Sequence, residues 1–195
     1  MSRLAHCVLA VTLLACASKP PAPTLPSAPV DPRPPLVRMA DSTSMLVSRA
    51  AIVNDTANVH ARVALRESTA ERARVRVQNA RIAADDATRL VAAAIVQGDY
   101  INDALPRASE ATTQSASYTR YWRMGREKLV LAQSNSASAV QAADRVLECT
   151  APECATTRTQ ELQGYIEQAA GASREAESLV RIAMVYVRMA MNYVR

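Results

Sequence analysis

The sequence predicts an all-α protein, and three observations carry that prediction. Alanine and arginine are abundant, phenylalanine is absent, and Gly98, Gly125, Gly164 and Gly171 are the only glycines, too few for a turn-rich β fold. From Met45 onward, apolar or small residues recur at alternating steps of four and three, the spacing of a coiled-coil seam. Eight of the ten prolines lie between Lys19 and Pro35, so the residues that break helices are gathered ahead of the periodic region. The expected architecture is three long antiparallel helices in an alanine-rich, coiled-coil-like bundle over residues 39–195. It follows an N-terminal segment without regular structure.

The first helix is expected at about 41–97. Its seam steps through Met45, Arg49, Ile52, Thr56, Val59, Val63, Arg66, Ala70, Ala73, Val77, Ala80, Ala84, Ala87, Val91 and Ala94. Such a helix would be about 85 Å long at ~1.5 Å per residue. Gly98-Asp99 offers a left-handed stop, Asn102 or Asp103 a cap, and Pro106 a first-turn proline for a helix at about 103–148. That second seam runs through Ala104, Ala108, Ala111, Ser115, Tyr118, Trp122, Gly125, Leu129, Ala132, Ser136, Ala139, Ala143 and Val146. A third helix, about 152–195, follows Cys149-Thr150-Ala151-Pro152-Glu153-Cys154. There Thr150 and Glu153 have capping-box spacing and Pro152 suits the first turn. Its seam is Leu162, Tyr165, Ala169, Ala172, Ala176, Leu179, Ala183, Tyr186, Ala190 and Tyr193. Alanine at most seam positions lets helices approach closely but buries little area, so the large anchors Trp122, Tyr118 and Leu129 must fill the middle.

Ahead of the bundle, Arg3 is followed by an apolar stretch from Leu4 to Leu14, a small residue at Ala15, and a cysteine. Leu13-Leu14-Ala15-Cys16 resembles the lipobox of bacterial lipoproteins. The resemblance implies a signal peptide over 1–15 that is cut before Cys16, whose thiol and new amino group are then acylated. The apolar run is roughly half the ~20 residues a membrane-spanning helix needs. Ala17, rather than an acid, after the cysteine implies sorting to the outer membrane, facing the periplasm. Residues 16–38 then read as the lipidated N-terminus and a proline-rich spacer. At ~3.1 Å per residue, about 20 residues reach about 60 Å, enough to hold a folded domain clear of the headgroups.

In an exported protein, Cys149 and Cys154 at a helix–helix corner favour a disulfide over free thiols or zinc. A closed zinc site needs about four ligands, and no histidine lies near.

No catalytic constellation is present. His60 would be the only histidine of a processed chain, no G-x-S-x-G, S-x-x-K, phosphate loop or H-E-x-x-H occurs, and Arg81 and Arg89 flank Asp85-Asp86 as helix-surface partners. A small-molecule substrate, a nucleic acid and a cofactor beyond the covalent lipid are not expected. The net charge of +5 is modest, with acids interleaved.

Two surface features suggest partners. Arg174, Arg181, Arg188 and Arg195 repeat every seven residues within a segment that is otherwise apolar nearly all round. Arg181, Met184, Val185, Arg188, Met191 and Arg195 therefore form a candidate docking face for a protein partner or a second copy, unless part of the first helix covers it. A hairpin about residue 100 would also bring Arg72, Arg74, Arg76 and Arg81 beside Arg120, Arg123, Arg126 and Lys128. That candidate belt would suit anionic envelope ligands such as peptidoglycan or lipopolysaccharide.

Overall fold

The computed structural model describes residues 33–192. The expected signal peptide, Cys16, most of the expected spacer, Tyr193 and Arg195 lie outside the described residues. Four helices are present, not three: α1 (Pro35–Ala64), α2 (Ala70–Ala108), α3 (Thr112–Glu148) and α4 (Pro152–Ala190). They run up, down, up and down. Each packs on its chain neighbours, α1 closes the ring against α4, and α2 scarcely touches α4. With four helices, the start of α1, the end of α2, the start of α3 and the end of α4 share one end of the bundle. The α1–α2 and α3–α4 turns form the other, about 55 Å away at ~1.5 Å per residue.

The first expected helix is two helices because the chain turns over residues 65–69. Thr69, extended at φ −126° and ψ 141°, caps α2 by accepting from the Arg72 amide, while Arg66 N–H bonds back to the Val63 carbonyl and tightens the end of α1. The turn resets the helical phase. In α2 the expected seam from Val77 through Ala94 is buried. In α1 it faces outward: Met45, Ile52 and Val59 are 70%, 66% and 60% exposed, and Val47, Ala50, Asn54, Ala57 and Ala61 are buried instead. Packing in this bundle selects small residues at the close contacts and leaves the larger ones outside. α1 also begins ahead of the expected position, inside the stretch 16–38 expected to be a spacer. Pro35 sits at its first turn, where a missing N–H costs least, and Leu36 and Val37 are buried.

The second hairpin lies at residues 109–111, not near residue 100. Gly98-Asp99 is helical interior, and no glycine adopts positive φ. Its role is packing. A β-carbon at Gly98 would overlap the Trp122 ring, and the Gly98 carbonyl accepts from the Tyr118 hydroxyl at 2.8 Å. The Asp99 carboxylate accepts from the Trp122 indole N–H and from Arg126, each at 2.9 Å. Pro106 closes α2 instead of opening the next helix. Ser109 then donates to the Ala190 carbonyl and accepts from the Ala111 amide, tying the turn to the end of α4. On α3, the expected seam from Ser115 to Val146 is buried as read.

The core has two unequal halves. Toward the shared chain ends it holds Tyr118, Trp122, Leu129, Ile101, Leu105 and Met184. Toward the opposite turns it is mostly alanine on α1, α2 and α3, with Val77, Val146, Leu162 and Ile166. Between them lies a buried polar layer: Asn54 Nδ2 donates to Ser173 Oγ at 2.8 Å, and Ser136 Oγ donates to Asn54 Oδ1 at 3.1 Å. This layer joins three helices at one level and fixes their register, since a shifted helix would leave a buried amide unpaired.

Gly98→Ala is expected to destabilise the protein by about 1–3 kcal/mol through overpacking against Trp122, although alanine is ordinarily the better helix former by ~1 kcal/mol. Thermal unfolding followed by circular dichroism measures this. Burial, and then the nearby Asp99 charge, hold the Tyr118 phenol well above its ordinary pKa. In the unfolded chain that group ionises at about 10. Stability should therefore fall as pH rises past about 10, because only the unfolded state sheds the proton. The fall should be shallower in Tyr118→Phe, read from denaturant midpoints across the alkaline range.

Candidate functional site

Cys149 and Cys154 form the disulfide that their spacing suggested, with Cα atoms 5.8 Å apart. The bridge links the residue after α3 to the first turn of α4, and Pro152 opens that helix. Around it, Arg145 pairs with Glu161 at 2.8 Å and Arg158 pairs with the same carboxylate at 2.9 Å. The Arg158 hydrogen bond, followed by the Arg145 and Arg158 charges, outweighs desolvation and lowers the Glu161 pKa. A cavity of about 100 Å³ lies beside the bridge, lined by Val77, Val146, Cys149, Pro152, Ala155 and Thr159 among others. Its lining is mainly apolar, and its charged member, Arg74, donates to the Leu147 carbonyl.

The arginine belt is not assembled. Because the α2–α3 turn falls about ten residues later than expected, Arg72, Arg74, Arg76 and Arg81 lie at the start of α2, at the turn end. Arg120 and Arg123 lie in the first third of α3, near the opposite end, and Arg126 and Lys128 just beyond them. The first group is also engaged locally. Arg74 donates to the Leu147 carbonyl, Arg76 pairs with Glu67 at 3.4 Å, and Arg81 pairs with Asp144 at 2.6 Å. Arg126 is held by Asp99 and Lys128 by Glu175.

The docking set on α4 is divided by the same closure of the bundle. Met184 is buried in the larger core half, and Met191 packs against it. Arg188 reaches across to Asp41 at 2.6 Å, so α1 covers this side of α4. Arg181 pairs with Glu177 along its own helix. Val185 stays on the surface, 44% exposed. The heptad-spaced arginines bind α1 more than they display a face: Arg174 also points to Asp55, at 3.9 Å.

His60 lies half-buried on α1, its Nδ1 without a hydrogen-bond partner. Asp85 and Asp86 share Arg89 at 3.1 and 2.6 Å, while Arg81, the other expected partner, pairs with Asp144. Among the described residues no cluster of His, Cys, Asp or Glu is arranged to hold a metal ion, and no helix is long and apolar enough to cross a membrane.

The apolar excess expected on the last turns of α4 is exposed in part, and α3 adds Met124 to it. On the α3–α4 side, Met124, Ile182, Val185 and Met189 are all more than 40% exposed. Tyr121 and Tyr186 stack beside them with ring centroids 5.7 Å apart. The α4 members step by three and four, a signal visible in the sequence. Met184 and Met191, expected on the same face, pack inward instead. Comparison with protein-family models, with curated proteins and with solved structures gives no match.

The bridge closes a short loop, which on the chain-entropy model contributes about 2 kcal/mol. The Cys149→Ser/Cys154→Ser double variant is expected to lose about that much in urea unfolding. Its hydrogen exchange should quicken first in the alanine-rich half, next to the corner.

Proposed function

We propose that this chain is a lipid-anchored protein of the bacterial cell envelope with a structural or docking role. The observation that carries the reading is Leu13-Leu14-Ala15-Cys16 at the end of a short apolar run behind Arg3. The proline-rich stretch that follows, and then a bundle whose core is closed within residues 33–192, are the parts a tethered rod requires. The Cys149–Cys154 bridge supports an oxidising compartment, since disulfides persist outside the reducing cytosol. Ion pairs such as Arg81–Asp144, Arg145–Glu161 and Arg188–Asp41 tie the helices to one another, which also supports a structural role. In this reading the two far turns, about 55 Å from the tethered end, are presented to a partner protein or a second copy, and the outer membrane is the site of anchorage.

Cells expressing the chain and fed labelled palmitate should incorporate label, and Cys16→Ser should abolish it and release the protein from the membrane fraction. An unlabelled wild-type chain, or labelling that persists in Cys16→Ser, would overturn the proposal.

A further inference from the structure

Charge and exposed apolar surface are distributed unevenly along the bundle, and both favour the end where the chain enters at Arg33. The third of the bundle at that end comprises residues 33–47, 96–124 and 178–192. It holds seven arginines against four acids. It also holds seven of the thirteen large apolar side chains exposed among the described residues. The opposite third, residues 53–82 and 137–164, holds eight basic residues against seven acids and three exposed large apolar residues. The excess is most concentrated on the α3–α4 side. There Met124, Ile182, Val185 and Met189 are exposed on the two helices that the Tyr121–Tyr186 stack joins. Arg120 lies one helical turn before Met124 on the same side of α3, and Arg123 lies about 100° round the helix from Met124, toward Arg126. Among the described residues neither arginine forms an ion pair, unlike most arginines of α2 and α4.

Unpaired guanidinium groups beside partly exposed methionine, isoleucine, valine and tyrosine have the composition of a surface that sits at a bilayer interface. The apolar side chains enter the headgroup boundary and the arginines meet lipid phosphates. We infer that the α3–α4 side of this end lies against the surface of an anionic phospholipid bilayer. Chain topology supports this occupant over a soluble partner. The even helix count places the patch at the end where the chain enters at Arg33, so a tether through an acylated Cys16 would join the bundle at this end and not at the opposite one. That geometric support rests on the lipid-anchor reading; the charge and apolar asymmetry does not.

The test separates the two. The chain beginning at residue 16 and carrying Cys16→Ser, which cannot be acylated, is mixed with vesicles of phosphatidylethanolamine and phosphatidylglycerol or of phosphatidylcholine alone. It should cosediment with the anionic vesicles, weaken with added salt, and bind the neutral ones far less. Arg120→Glu/Arg123→Glu should lower the affinity by roughly tenfold or more, as should Ile182→Ser/Met189→Ser. Arg72→Glu/Arg74→Glu at the opposite end should leave it unchanged. All these positions are on the surface, and circular dichroism verifies that each variant is folded. No binding to anionic vesicles, or equal loss from changes at either end, would overturn the inference. A concentration-dependent dimer dispersed by the Ile182→Ser/Met189→Ser pair would also overturn it, because a second copy would then be the occupant. Failure of palmitate labelling bears on the anchor alone.

Discussion

Close approach of helices through alanine is the constraint on which this structure depends. Ala80, Ala84, Ala87 and Ala94 of α2, and Ala132, Ala139 and Ala143 of α3, are fully buried. Each contributes little apolar area, so the interfaces gain their stability from tight contact along their whole length. Tight contact explains why a glycine is required under Trp122 and why Gly125 lies against Val180, where an added β-carbon would come within 2.9 Å. It also explains the inverted face of α1. With Val47, Ala50, Ala57 and Ala61 at the contacts, Met45, Ile52 and Val59 have no room inside.

The uneven core follows from where the few large side chains fall. Tyr118, Trp122 and Leu129 lie in the first half of α3, and Ile101 and Leu105 oppose them from the second half of α2. The other half has alanine in most of these places, and there the chain has added a covalent bridge and the Arg145–Glu161–Arg158 cluster. The ion pairs are half-exposed and contribute modestly. The bridge acts by restricting the unfolded chain. The Asn54–Ser136–Ser173 layer marks the boundary and supplies the directional bonds that alanine contacts lack, since small side chains alone permit sliding.

Helical class, the seam of α3, most of that of α4 and the corner disulfide were legible because period, small-residue content and cysteine spacing are local signals. The number of helices was not. A heptad path drawn from Met45 to Ala94 crosses the turn at residues 65–69 without a break, because large apolar residues mark the outer face of α1 and continue numerically into the inner face of α2. Its three polar members, Arg49, Thr56 and Arg66, all fall before Ala70, and Ser68-Thr69 has the chemistry of a helix cap. Gly98 misled for a related reason. Glycine ends helices, but it also admits an indole, and the sequence does not say which until the partner is known. Once the turn moved from residue 100 to residues 109–111, the arginines of α2 and α3 parted by tens of ångströms, and no reading of charge alone could have prevented that. The surface on the α3–α4 side depends on which methionines face inward, a matter of phase decided by the neighbouring helices.

Even parity has a mechanical corollary. A load applied at the α1–α2 turn and resisted at Arg33 runs parallel to α1, so the helix is pulled in shear and all its lateral contacts with α2 and α4 are strained together. The closing strap from Arg188 to Asp41, and those from Glu177 to Ser48 and Glu167 to Arg62, cross the α1–α4 seam at successive levels along its length. They stand as rungs of a ladder whose rails resist slipping past one another.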